Sequence, residues 1–451
     1  MSETRRVVAR VSKERVEPDQ EFSFSLDDRL PADLPAGLRA YRQKAWETYT
    51  ALPFPRKNNE SWRRTDLREL KPARFHLQPV QPASSGEDWL NSRSRCTPSQ
   101  EMAGWVVTNG TNLEIQLIPG LKEAGVVLTD FRSAAAAHPG LLEKHLGKIV
   151  SLDGNKFTAL AGSLTENGIL LYIPRDLKVD LPFSVVQCIG EEMAAHFSHV
   201  LVVLEEGASA TFQVEWTSPA HFNGEAFHAG ILETVVGAGA HLNLVELQSL
   251  GAGVWNFIQE RVVVERDGEV DWVFGNTGSR VTKAFSALDL TGQGSKGKMS
   301  GFYITSKKQH IDLDTHQNHL APSTSSDFMY KGVLLDSSRS VWKGMVYVAP
   351  NATKTDGYQA NRNLVLSDQA RADSIPGLEI LTDDVRCSHG ATVGKIDKDQ
   401  VFYLRTRGLP EKEAERLIVE GFLEPILERI PLEDVQNRFH KELKLKLQSG
   451  L

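Results

Sequence analysis

From residue 204 onward the chain repeats one short unit. The segments LEEGASATFQVEW, VVGAGAHLNLVEL, VERDGEVDWVFG and LTGQGSKGKMSGFYI each read as an apolar run, a glycine-containing turn and a second strand-forming run. The turn glycines Gly207, Gly239, Gly268 and Gly294 lie 32, 29 and 26 residues apart. A period of that size marks stacked structural units, each able to bury its apolar face only against the next. A sheet sandwich would share this rhythm, but the units recur without intervening helices, which favours a solenoid. Turns at Ser337 and Ser338, Asn351 and Ala352, and Asp368 and Gln369 extend the pattern to Ile380.

The flanks read differently. Within residues 1–104, residues 38–52 place Leu38, Tyr41, Ala45, Trp46 and Tyr49 at helical spacing, and Pro53 and Pro55 end that helix. Residues 58–70, with Trp62, are expected to continue as helix, and the Pro- and Ser-rich residues 78–100 as a linker. Residues 105–396 form the β core, with one expected helix at 131–146. Residues 397–451 return to helix: Asp397 with Gln400 suggests a capping box, Gly408 and Pro410 close the first helix, and helices at 411–424 and 433–447 follow. Ala414, Leu417, Ile418 and Phe422 would share one face of the second, and Val435, Phe439 and Leu443 one face of the third, leaving apolar surface to spare.

The net charge of -7 gives no general attraction to nucleic acid or anionic lipid. No apolar run approaches the length of a membrane span, and the N-terminal residues mix acidic and basic side chains unlike a leader. The three cysteines, Cys96, Cys188 and Cys387, lack CxxC spacing, so the chain alone is not expected to hold a four-thiolate cluster or a structural zinc. They also point to a reducing compartment, and the chain is read as cytoplasmic and bacterial.

Two glycine-rich stretches imitate phosphate loops. Gly292 to Lys298 is followed by Met299 where a P-loop needs Ser or Thr, and by a β run where it needs a helix; Gly237-Ala-Gly239 lacks a third glycine. No ATP site is expected. The densest polar stretch runs from His310 to His319. On a strand, His310, Asp312, Asp314 and His316 would share a face, with Ile311 and Leu313 facing the core. That face is read first as a solvated surface. Its alternatives are paired carboxylates Asp312 and Asp314 acting on a polysaccharide, or a metal site of His310, His316 and His319. A third constellation, Asp383-Asp-Val-Arg-Cys387-Ser-His389-Gly, would put Cys387 and His389 on one strand face as a metal-facing edge or as packing residues.

Residues 374–422, SIPGLEILTDDVRCSHGATVGKIDKDQVFYLRTRGLPEKEAERLIVEGF, closely resemble the C-terminal signature of the SufB/SufD family of iron–sulfur cluster assembly scaffolds. The resemblance extends through residues 316–336, 351–368, 157–168 and 52–67, and so covers most of the chain. The Cys387-Ser-His389-Gly sequence, where a SufB-type chain would carry a Glu-His-Glu type sequence and more cysteines, is similar to the SufD branch. The resemblance implies a mainly β chain: a right-handed parallel β-helix between helical N- and C-terminal domains. It implies a non-enzymatic scaffold that pairs with a SufB-like paralogue and docks a SufC-like ABC-type ATPase through its C-terminal helices. The residues named for that docking are Tyr403, Leu404, Arg407, Leu417, Ile418 and Phe422. It further implies a transient iron–sulfur cluster shared with the paralogue, with His389 as a ligand and Cys387 beside it. A flavin in the complex and a homodimer of the chain alone are the further cofactor and partner it allows.

Overall fold

Successive strands of the chain are laid down alternately in two sheets. The computed structural model describes residues 21–78, 101–219 and 222–450. It forms two 10-stranded sheets in which almost every strand pairs in parallel with the strand two places along the chain. The chain therefore winds as a solenoid of about eight coils. The register is unshifted from coil to coil: Leu244 lies beside Phe212 and Trp272, and Trp272 beside Met299. Side chains alternate in and out of the lumen, so one face of each strand builds a continuous core that includes Phe212, Trp216, Leu244, Trp272, Phe328 and Trp342. Of the linker stretch only Gln78 is described, and Cys96 and the charged residues 1–20 lie outside the described residues.

One corner of the coils requires a left-handed backbone. Asp176, Gly207, Gly239, Asp267, Gly294, Ser323 and Lys354 all have positive φ. Each donates its N–H to a carbonyl of the next coil, from Asp176 to Glu206 O at 2.9 Å through to Lys354 to Asp384 O at 2.6 Å. The glycine rhythm in the sequence is this ladder seen in part. At the third turn of the sequence pattern the left-handed residue is Asp267, and Gly268 serves another need: a Cβ there would stand 3.0 Å from Gly237 O and from Val264 Cγ1. The P-loop imitation is the next rung, a turn with Gly294 at its left-handed position and a strand starting at Lys296.

The N-terminal end of the solenoid is closed. Strand Val127–Asp130 adds antiparallel to Ile169–Ile173 in the first sheet, and Leu113–Leu117 adds antiparallel to Gly104–Thr108 in the second. Helix Lys156–Leu164, buried at every residue, lies between the first sheet and the outer helix Ala36–Ala51. Its Phe157 is 1% exposed and stacks on Phe257 at 4.3 Å, with Trp62 edge-on at 5.5 Å. Each such aromatic contributes about 1.5–3 kcal/mol by burial. Glu233 ties the same region to the sheet, accepting from the N–H groups of Gly147, Ile149 and Val150 and pairing with His199 Nε2 at 2.9 Å.

Two helix expectations need correction here. Residues 58–70 hold only the short 3-10 turn Glu60–Trp62, because the segment is pinned by side chains: Trp62 is buried in the aromatic cluster and Thr65 donates to Asp312. Residues 131–146 form two helices, Phe131–Ala137 and Pro139–His145, since Pro139 has no N–H to continue the first and suits the start of the second.

At the other end of the chain, helices Lys398–Thr406, Glu411–Leu427 and Glu433–Gly450 follow the last strand. The second and third cover the outer face of the second sheet. Val419, Leu423 and Ile426 pack with Phe439 and Leu443 on Val245, Val273, Phe302 and Val333. Phe302 and Phe439 meet edge-on at 4.7 Å, and Arg429 and Arg438 reach Asp271 and Glu215. The expected stripe of Val435, Phe439 and Leu443 is buried here. On the middle helix the core-facing stripe is Val419, Leu423, Ile426 and Leu427, and Leu417 is left exposed. Among the described residues no helix is long and apolar enough to cross a membrane.

Candidate functional site at the open end of the solenoid

The last coil consists of Arg371–Ile380 in the first sheet and Val385–Gly394 in the second. Each is paired on one side only, with Arg339–Val348 and Thr355–Val365 respectively. Their far edges therefore carry backbone groups that no described strand pairs, beside exposed Leu378, Ile380, Leu381 and Val393. Natural proteins blunt such edges when they are to stay monomeric, with charges, prolines or a covering element. Here exposed apolar side chains stand at the edge among the charges of Arg371, Glu379 and Arg386.

Cys387 and His389 lie on this last strand, directly in register with Gly357 and Gln359 of the coil behind. Alternation therefore puts both on the luminal side, as the sequence spacing suggests. They differ in access. His389 is exposed. Cys387 is tucked inward against Val346, Val348 and Val385, and the absent side chain of Gly357 makes room for it: a Cβ there would stand 3.3 Å from both Cys387 Sγ and His319 Nε2. Burial pushes the Cys387 thiol up and the nearby Asp356 carboxylate adds to this, against a Gly357 backbone contact that lowers it. A protonated, inward thiol is a poor metal ligand, because the thiolate is the binding form. The exposed imidazole of His389 is free of that burial.

The His310–His319 strand serves a different purpose. Asp312 is in register with Lys283 and accepts from its Nζ at 2.8 Å, while Asp314 is in register with Lys343, 3.6 Å away, and contacts His316 Nε2 at 3.0 Å. Burial would raise Asp314, but the His316 hydrogen bond and the charges of Lys283 and Lys343 outweigh it, leaving its pKa below the ordinary value. Both carboxylates are buried, so the face is neither solvated nor a free acid–base pair; it is an ion-pair ladder between coils, with Thr65 of the N-terminal region closed over Asp312. His319 points the other way, into the lumen, held between Thr324 and Ser326 at 2.7 and 2.8 Å. Burial lowers His310 and His319 to about 4. The three histidines do not converge, and among the described residues no group of three His, Cys, Asp or Glu could hold a metal.

A buried acid pair was not visible as such in the sequence. Glu246 and Glu260 both face the lumen and are fully buried. Trp272 Nε1 donates to the first at 3.0 Å and Ser286 Oγ to the second at 2.6 Å. Burial raises both, Glu246 the more because the Glu260 charge adds to it. Two carboxyl groups buried this close favour sharing a proton over both being ionised.

The residues named for ATPase docking separate into distinct environments. Tyr403 and Arg407 are exposed, the guanidinium lying 5.2 Å from the Tyr403 ring, and Leu417 is exposed on the following helix. Leu404 and Ile418 are half-buried. Phe422 packs on the helix–sheet core, and its carbonyl accepts from Lys331 Nζ. Phe402, which sequence reasoning passed over, is 68% exposed and lines a groove of about 630 Å³ with Val401, Ile396, Lys395 and Glu415. Its signal was available: it directly precedes Tyr403 in a charged helix, where two adjacent aromatics cannot both face the core.

Comparison with known proteins places two family models end to end on the chain. The SufBD protein N-terminal region matches residues 26–185, and the SUF system FeS cluster assembly SufBD core domain matches residues 187–422. The iron–sulfur cluster assembly protein SufD of Bacillus subtilis is 29% identical over 436 residues, covering 95% of this chain and 98% of that protein. The iron–sulfur cluster assembly protein SufB of the same organism is 30% identical over 316 residues, covering 69% and 67% respectively. A SufBD family protein of Staphylococcus saprophyticus is 30% identical over 313 residues, with the same coverage.

Proposed function

Since this chain belongs to the SufBD family of SUF-system iron–sulfur cluster assembly proteins, we propose that it acts as the SufD-type scaffold subunit and offers His389 to a nascent cluster at its open end. The observation that carries the reading is the pairing of an exposed imidazole with an unfinished sheet edge on the same strand. A partner that continues the sheets would bring its own side chains over His389. Such a partner is a SufB-like paralogue, which would supply the thiolates this chain lacks. The cluster is the cargo here. Imidazole donates less electron density to iron than thiolate does, so a mixed ligand set would hold the cluster loosely enough to pass it on.

The whole-length match to a SufD, against a partial match to a SufB, supports the SufD-type assignment over a SufB-type one. A SufC-like ATPase would dock on the exposed side of the C-terminal helices, at Phe402, Tyr403, Arg407 and Leu417, and supply the nucleotide chemistry. The opposite side of the last two helices is already committed to the second sheet. Point changes at Phe402 and Tyr403 therefore test docking more cleanly than removal of residues 397–451.

The deciding experiment is reconstitution of the His389→Ala chain with its SufB-like partner, iron and sulfide. Cluster absorbance should fall at least severalfold at unchanged complex yield. Undiminished cluster formation removes His389 from the site.

A further inference from the structure

We propose that the cleft between residues 66–69 and the turn at Lys307 and Lys308 is a docking site for an acidic polypeptide segment of another protein. The inference goes beyond the reading of His389 and does not depend on it, since none of the residues involved belongs to the last coil.

The segment beside the cleft is charged against the trend of the chain. Residues 56–74 hold seven basic and three acidic side chains, while the whole protein has a net charge of -7. Asp66 pairs with Arg68 and, at 3.5 Å, with Lys57, and Glu69 pairs with Arg280 of the solenoid. Of the three acids, Glu60 alone is unpaired among the described residues. Arg63, Arg64 and Lys71, each exposed and within three residues of Asp66 or Glu69, likewise make no ion pair there.

The cleft, of about 910 Å³, is walled by Asp66, Arg68 and Glu69 from the N-terminal region and by Trp255, Arg280 and residues 307–309 from the solenoid. Its cations are held in place. Arg280 lies over the Trp255 ring at 4.8 Å, and its hydrogen bond to Glu69 uses one terminal nitrogen, Nη2. Gln309 pins the turn: it donates to Ser279 O at 2.7 Å, and its Oε1 accepts from the Ser306 N–H at 3.0 Å. The Lys307 N–H donates to Asp336 Oδ2 at 2.6 Å. Lys307 and Lys308 are thus exposed on a fixed backbone, and among the described residues their ammonium groups make no ion pair. Lys307 also holds a left-handed backbone, where glycine or asparagine would serve a turn at less cost. The turn alone does not call for lysine there. Unpaired like charges gathered in one place repel, and a bound anion relieves that repulsion.

The occupant follows from what the cleft lacks. Single-stranded nucleic acid is held by bases stacked on exposed aromatics, but Trp255 and Trp62 are only 1% and 6% exposed. A lasting hold on a membrane takes apolar insertion as well as basic charge, and none of the large exposed apolar side chains among the described residues lies in this region. Carboxylates on short, independently adjustable side chains suit cations spread along a cleft, pairing with guanidinium as a fork and with ammonium as a point charge.

The test uses the full chain and a fluorescein-labelled peptide of ten glutamates, followed by anisotropy. Binding should saturate at about 50 mM salt and weaken about tenfold or more at about 300 mM. Lys307→Glu combined with Lys308→Glu should weaken it about tenfold or more at low salt, whereas Lys122→Glu with Lys178→Glu, the same charge change at exposed sites elsewhere, should stay within about twofold. No binding by the wild type overturns the proposal, as does equal loss in both double variants or retention by the first. Two wild-type measurements decide without any variant. A ten-nucleotide oligothymidylate that binds as tightly as the peptide, or co-sedimentation of the chain with phosphatidylglycerol vesicles, would assign the cleft to nucleic acid or to membrane instead.

Discussion

Strand Ile169–Ile173 in the first coil of the first sheet and Arg371–Ile380 in the last have the same place in a coil, yet the first is buried and the second largely open to solvent. The closed end has an antiparallel strand laid along each sheet and a helix packed against the aromatic cluster. Among the described residues the open end has neither, and Leu378, Ile380, Leu381 and Val393 are 37–52% exposed there. A solenoid needs a cap wherever its stack stops, because each coil relies on the next to cover its apolar face. One end of this molecule carries its cap in the same chain. The other carries none among the described residues.

That contrast can be broken most severely at the closed end. Phe157→Ala should cost about 3–5 kcal/mol, read as a lowered denaturation midpoint, because its pocket is walled by rigid rings. Leu378→Ala at the open end should cost about 1 kcal/mol or less in the isolated chain. Equal losses would show that the open end is as well packed as the closed one.

The complementary effect is on association. Leu381→Asp combined with Val393→Asp should leave the chain's own stability within about 0.5 kcal/mol. The same pair should weaken binding to a SufB-like partner about tenfold or more, measured by titration calorimetry, since each buried carboxylate would lack a partner. Unchanged affinity would mean that the partner docks elsewhere.

The sealed lumen predicts a pH effect that the open end should not show. Glu246 and Glu260 are raised above the ordinary glutamate value of 4.5 by burial, so the folded chain keeps a proton that the unfolded chain releases. Stability from this source is complete below that value and is lost as pH rises through the folded-state value. Glu246→Gln should flatten the stability–pH curve on the alkaline side in denaturant titrations. A curve unchanged by the substitution would place the proton elsewhere.

The smallest expected effect concerns Cys387. Its inward, protonated thiol should alkylate several times more slowly than in the unfolded chain, as followed by mass spectrometry. Gly357→Ala should speed the reaction by pressing on the sulfur. Equal rates would mean that the thiol already stands outside.

The solenoid was legible because its period survives in the glycines, but only in part. Asp267, Ser323 and Lys354 occupy the same left-handed corner, where the coil-to-coil hydrogen bond compensates a backbone cost of about 1–2 kcal/mol. Residue type alone cannot reveal such a position. Residues 58–70 misled because Trp62 and Thr65 are anchored by tertiary contacts that override local propensity. The polar face at His310 to His316 was correctly placed on one side of a strand, but its neutralising lysines come from the adjacent coils, 29 residues away in the case of Lys283 and Asp312. The shared face of Cys387 and His389 follows from spacing alone. Their unequal access depends on Gly357, and the neighbour of His389 depends on register, which no single strand reveals.

The unshifted register has one more consequence. Coils that touch only their neighbours can be added or lost whole, so the distance from the aromatic cluster to His389 is counted in steps of about 4.8 Å. A duplicated coil would carry the imidazole one step outward with its surroundings intact. Loss of half a coil would turn the strand into the other sheet. The protein is in this sense a ruler with integer marks, and the reach of its open end can change only by whole units.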